Sequence, residues 1–71
     1  MEVQIFKTNI NSMDEFYKIK YSLNKIKKVL KLTIDLDDVD KVLRVETTDM
    51  KSNKIIQAVR KHNILCEEME D

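Results

Sequence analysis

Phe6-Lys7-Thr8-Asn9-Ile10-Asn11-Ser12-Met13-Asp14-Glu15 is the stretch where a short apolar run gives way to a helical pattern. Upstream, Val3 to Lys7 reads as a strand, with Val3 and Ile5 alternating with Gln4. Phe6 breaks strict alternation, which suits a strand partly covered on both faces. Asn9, Asn11 and Ser12 interrupt it, and Ile10 is expected to tuck back into the core. Ser12 followed three residues later by Glu15 has the form of a capping box: the hydroxyl accepts from an early backbone N–H and the carboxylate reaches back to the cap. Asp14 and Glu15 also complement the positive end of a helix.

Downstream, Phe16, Ile19, Leu23, Ile26 and Leu30 recur at three and four residues, the stripe of an amphipathic helix, with Lys25, Lys27 and Lys28 near its negative end. Leu30, Leu32, Ile34 and Leu36 alternate with Lys31, Thr33, Asp35 and Asp37, the period of a strand with one buried face. Asp37-Asp38-Val39-Asp40 supplies turn chemistry, and Val42 to Thr47 forms the second arm of a hairpin. Asp49 or Ser52 then caps a second helix with the stripe Ile55, Ile56 and Val59. Asn63 falls where a left-handed residue is needed to end it. Ile64-Leu65-Cys66 is a last short strand, and Glu67 to Asp71 an acidic tail expected to fray. The order βαββαβ makes the fold class α+β and ferredoxin-like: a four-stranded antiparallel sheet with two helices on one face and polar residues Thr33, Asp35, Arg44 and Glu46 on the other.

The 71 residues make one domain, with 42% hydrophobic and 37% charged side chains, too apolar for a disordered chain. Glycine and proline are both absent, so Asn, Asp, Ser and Lys must make the turns. Thirteen basic and thirteen acidic residues cancel, which removes any global argument for nucleic acid or membranes and leaves only local patches. A single cysteine, no signal-peptide core and no apolar run of membrane-span length make a reducing cytoplasm the expected setting.

Over nearly its whole length the chain resembles the heavy-metal-associated domains of copper chaperones and metal-transporting ATPases. The resemblance rests on Phe6 to Ile10 leading into the first helix, on Asp35 to Glu46 as the hairpin, and on Ile55 to Lys61 in the second helix. Members of that family carry Cys-x-x-Cys in the first loop, and alignment on Phe6 to Ile10 puts those positions at Ser12 and Glu15. The family's glycine after the first helix aligns near Lys28, and its Ala-Gly-aromatic with His62-Asn63-Ile64. Soft Cu(I) prefers thiolates, whereas a hydroxyl and a carboxylate are hard, weak ligands, so no high-affinity metal site and no cofactor are expected. The spacing of three converts a ligand pair into a capping pair.

Met13 and His62 are the candidates for a residual, weak metal site, while Cys66 reads as a small buried hydrophobe. Asp35, Asp37, Asp38 and Asp40 lack the glycine of a calcium loop and sit between strands, so they read as a solvated hairpin. Lys18, Lys20, Lys25, Lys27, Lys28 and Lys31 run from 16 to 31 with no acidic residue among them, a positive face suited to an acidic protein surface. The family's first helix and loop form a docking face for partner domains, so the resemblance favours Lys18, Lys20, Lys25, Lys27 and Lys28 as partner-binding residues. Nucleic-acid binding through the same helix is the alternative, weakened by a Val42 to Thr47 strand with no aromatic. A small-molecule regulatory module would need a glycine loop near the first helix. Catalysis lacks a nucleophile with a base and a phosphate loop, and is not expected.

Overall fold

The computed structural model describes residues 1–70, and the Asp71 part of the expected tail lies outside the described residues. Its elements are β1 (Glu2–Thr8), α1 (Met13–Leu23), β2 (Val29–Asp35), β3 (Val42–Thr47), α2 (Ser52–Arg60) and β4 (Cys66–Met69). All strand pairs are antiparallel in the order β2-β3-β1-β4. This is the ferredoxin-like arrangement that the element order implies, with both helices burying their stripes on one sheet face.

The core is built from Phe6, Ile10, Phe16, Ile19, Leu23, Leu32, Leu43, Val45, Ile55 and Val59, with Ile64 and Cys66 closing it. Leu43 sits opposite both Phe6 and Ile34, and Val45 opposite both Gln4 and Leu32, so β3 carries the middle of this layer. Each fully buried large side chain contributes about 1.5–3 kcal/mol.

Five local expectations change. In β1 the covered face is Gln4, Phe6 and Thr8, and Val3 is exposed; Phe6 therefore keeps the alternation and sets its phase. The inward polar residues hid this: both are held by hydrogen bonds, with only the buried Gln4 Oε1 left without a partner among the described residues. Gln4 Nε2 donates to Thr47 Oγ1 at 3.2 Å and to the Met50 carbonyl at 2.7 Å, and Thr8 Oγ1 donates to the Lys41 carbonyl at 2.6 Å.

Helix α1 stops at Leu23, not near Leu30. Asn24, Lys25, Ile26 and Val29 donate to carbonyls three or four residues back in a chain of tight turns, and Ile26 still packs against the core. Lys25, Lys27 and Lys28 thus lie on the connection to β2. An irregularity between Val29 and Lys31 in the β2–β3 register makes Val29 the buried residue and turns Leu30 outward.

The cap of α2 is Lys51, whose side chain makes no capping bond; Asp49 has positive φ and Ser52 is the first helical residue. The last strand is Cys66–Met69, so most of the expected tail is paired with β1, Lys7 facing Glu67 and Thr8 facing Cys66. Ile64 is buried ahead of that strand and Leu65 is exposed.

Candidate functional site

The loop from Asn9 to Ser12 is fixed at both ends by its own side chains. Thr8 Oγ1 accepts from Ile10 N at 3.2 Å, which turns the chain off β1 and buries Ile10. Asn9 Oδ1 accepts from Leu65 N at 2.9 Å, tying the loop to the segment after α2. At the helix start, Ser12 Oγ accepts from Glu15 N at 3.2 Å and the Ser12 carbonyl accepts from Phe16 N at 3.1 Å. Glu15 Oε1 accepts from Asn11 N at 2.7 Å, one residue before the cap. Both side chains expected at this junction are therefore engaged with backbone donors.

His62 follows α2 and lies along one stripe of α1. Its Nε2 and Ser22 Oγ are 3.0 Å apart, and with Glu15, Lys18 and Ile64 it lines a depression of about 100 Å³. Organic ligands need roughly 300 Å³ or more. Met13 is not among those lining residues and points to solvent with 40% exposure. The structure thus brings His62 to Glu15 and Lys18, and leaves Met13 elsewhere on the first turn. No group of three or more His, Cys, Asp or Glu able to hold a metal occurs among the described residues. Cys66 is wholly buried, and burial pushes its thiol up to about 11, the nearby Arg60 opposing this and Glu67 adding to it. Such a thiol is a poor source of the thiolate that soft metals bind.

The five lysines expected to bind a partner do not share one helix face. Lys18 and Lys20 are on α1, Lys20 half-buried, whereas Lys25, Lys27 and Lys28 project from the connection to β2. Lys25 Nζ lies 4.4 Å from the centre of the Tyr21 ring. That contact points to a feature the charge pattern overshadowed: Met13, Tyr17 and Tyr21, at intervals of four, form an exposed row along α1, the two tyrosines 55% and 69% exposed. The interval was the available signal, since residues four apart share a helix face.

No family model matches the chain, and no curated protein matches it by sequence. Solved structures do. The yeast copper transporter domain Ccc2a, determined in apo and Cu(I)-loaded states, superposes with a TM-score of 0.84 at 19% identity over 100% of this chain and 99% of that one. It is also known in a complex with Atx1 and Cu(I). The apo HMA domain of the copper chaperone for superoxide dismutase gives 0.79 at 15% identity, covering 96% of this chain and 66% of that one. The N-terminal domain of ZntA in its Zn(II) form gives 0.81 at 10% identity, covering 96% and 92%. In fold, this chain is similar to the heavy-metal-associated domains, as its sequence resemblance implies.

Proposed function

We propose that this is a non-enzymatic, metallochaperone-like domain whose metal loop has been converted into a helix cap, leaving a protein-interaction or regulatory module. The observation that carries this reading is the engagement of Ser12 and Glu15 with backbone N–H groups at the two positions where the resembled family places its thiolates. A hydroxyl and a carboxylate so occupied offer Cu(I) only hard donors, each of which would have to give up a capping bond. Cys66 is too buried to substitute.

Partner binding is assigned to α1 and the connection after it. Lys18, Lys20, Lys25, Lys27 and Lys28 supply positive charge beside the apolar row of Met13, Tyr17 and Tyr21. Tyrosines amid cations suit an acidic protein surface, where aromatic residues anchor and charges steer. The fold neighbour solved with Atx1 and Cu(I) is a precedent for a protein partner in this architecture. A reducing cytoplasm is the proposed setting, and no described helix is long and apolar enough to cross a membrane.

Competition against a colorimetric Cu(I) chelator tests the reading. The expected result is no affinity tighter than micromolar near neutral pH. Sub-micromolar binding abolished by Met13→Ala or His62→Ala would instead establish a residual site at those residues. Retention of a single-stranded oligonucleotide in a gel shift at physiological salt would favour the nucleic-acid alternative.

A further inference from the structure

Lys28 of the α1–β2 connection meets Lys51, the cap of α2, and Lys54 in its first turn, far away in sequence. Ile26, Lys28, Asp49, Met50, Lys51 and Lys54 line an open depression of about 440 Å³. Its floor is apolar, because Ile26 and Met50 are half-buried and pack against the core. Its rim is net basic: Lys28, Lys51 and Lys54 are exposed and outnumber the one carboxylate there, Asp49, whose carbonyl accepts from Lys28 Nζ at 3.1 Å. The first turn of α2 holds no acidic residue and its Lys51 cap makes no side-chain bond. Lysines there stand against the positive end of the helix, a repulsion that an arriving carboxylate relieves.

The chain itself carries a complement to this depression. At the β2–β3 turn, Val39 is 91% exposed between Asp37, Asp38 and Asp40. The turn is held as a firm knob: Asp35 Oδ1 accepts from Asp37 N at 3.1 Å, Asp38 Oδ1 accepts from Asp40 N at 2.8 Å, and Lys41 Nζ donates to the Leu36 carbonyl at 2.7 Å. Knob and depression lie at opposite ends of β3. Asp40 is bonded to Thr8 next to the knob, and Lys28 to Thr48 past the other end of the strand. Six residues of strand separate them by about 20 Å, so a molecule cannot fill its own depression.

We propose that a second copy of this chain seats its Val39 knob in the Ile26–Met50 depression, with Asp37 and Asp38 against Lys28, Lys51 and Lys54. The proposal rests on the reading of the α1–β2 connection as a docking surface, through Lys28, and names the partner. Contact of unlike patches leaves each copy with a free knob and a free depression, so it propagates into open chains unless the rotation between copies closes it into a ring or a reciprocal pair. One knob in one depression is a small contact, and the association is accordingly weak, roughly micromolar or weaker. The net charge of zero on the whole chain imposes no overall repulsion between copies.

Sedimentation velocity of the full chain at low salt, up to ~1 mM, tests this; mass should rise with concentration and fall back to monomer as salt screens the pairs. Val39→Lys spoils the knob by setting a like charge against the lysines, and Lys51→Glu with Lys54→Glu spoils the rim; all three positions are exposed, and circular dichroism verifies that the variants fold. Each variant alone should associate at least about tenfold more weakly. Mixed in equal amounts, the two should form a one-to-one dimer, because one intact knob then meets one intact depression. A wild-type chain monomeric throughout, or one whose association ignores both variants, overturns the proposal. If the wild type stays monomeric while an alternating Glu-Leu peptide shifts the amide signals of Ser52 and Asn53, the second copy is wrong and the docking surface stands. If that peptide moves no signal at any of the lysines either, both readings fall. Retention of a single-stranded oligonucleotide that Lys51→Glu with Lys54→Glu abolishes assigns the depression to phosphates and also overturns the proposal.

Discussion

Ser12 and Glu15 close one turn between them, so their contributions to stability should be coupled. Ser12→Ala removes the acceptor for Glu15 N and should cost about 1 kcal/mol in urea unfolding. Glu15→Ala should cost a similar amount through Asn11 N, and the double variant should lose less than the sum. Strictly additive losses would mean that the two bonds act separately. Cys66 makes a second prediction at this scale. Its proton is held more tightly in the folded chain, about 11 against 9.0 for a free thiol, so the contribution is fully present below pH 9.0. It is lost as pH rises from there toward about 11, at up to about 1.4 kcal/mol per pH unit. Wild type should therefore destabilise more steeply over that window than Cys66→Val, and at neutral pH a thiol reagent should modify Cys66 only on unfolding. The capping pair was legible from the Ser-x-x-Glu spacing alone, because a cap is local. The Ser22 contact of His62 was not, because those residues are forty positions apart and meet only through helix packing.

At the scale of elements, a chain without glycine bends through non-glycine residues with positive φ: Lys41 at 45°, Asp49 at 48° and Asn63 at 61°. Asn63 was foreseeable, since Asn tolerates this region, and Asn63→Val should cost about 1–2 kcal/mol while Asn63→Gly leaves stability unchanged or higher. An equal loss in both variants, measured by thermal unfolding, would place the cost in the asparagine side chain instead. The errors in element boundaries share a cause. Leu30 fits both a helical stripe and a strand alternation, and only the irregularity beside it in β2 decides that it faces out. Likewise Val3 and Ile5 look like a buried face until Phe6 claims the opposite parity and Gln4 and Thr8 find partners on Thr47, Met50 and Lys41. The fraying expected after Cys66 gave way to pairing with β1, helped by Lys7 facing Glu67. These outcomes depend on cross-strand partners, which no local pattern contains.

For the whole molecule, topology was legible because six short elements in the order βαββαβ leave few ways to cover one sheet face with two right-handed crossovers. The layer they enclose should be cooperative: Leu43→Ala, at the centre of β3, should cost about 2–5 kcal/mol, a large part of the stability of a domain this size. Charge placement was only half legible. The lysine run of positions 18 to 31 was visible in order, yet the fold splits it and brings Lys28 beside Lys51 and Lys54. The central claim is that positions 12 and 15 sit on a metal-loop scaffold but now serve as a cap. Parallel Cu(I) competition titrations of the wild type and of Ser12→Cys with Glu15→Cys test it most directly, since thiolates three residues apart at a helix start restore soft ligands. The account predicts no binding tighter than micromolar for the wild type and a gain of at least about a thousandfold, roughly 4 kcal/mol, for the double variant. Tight binding by the wild type, or no gain in a folded double variant, would contradict it.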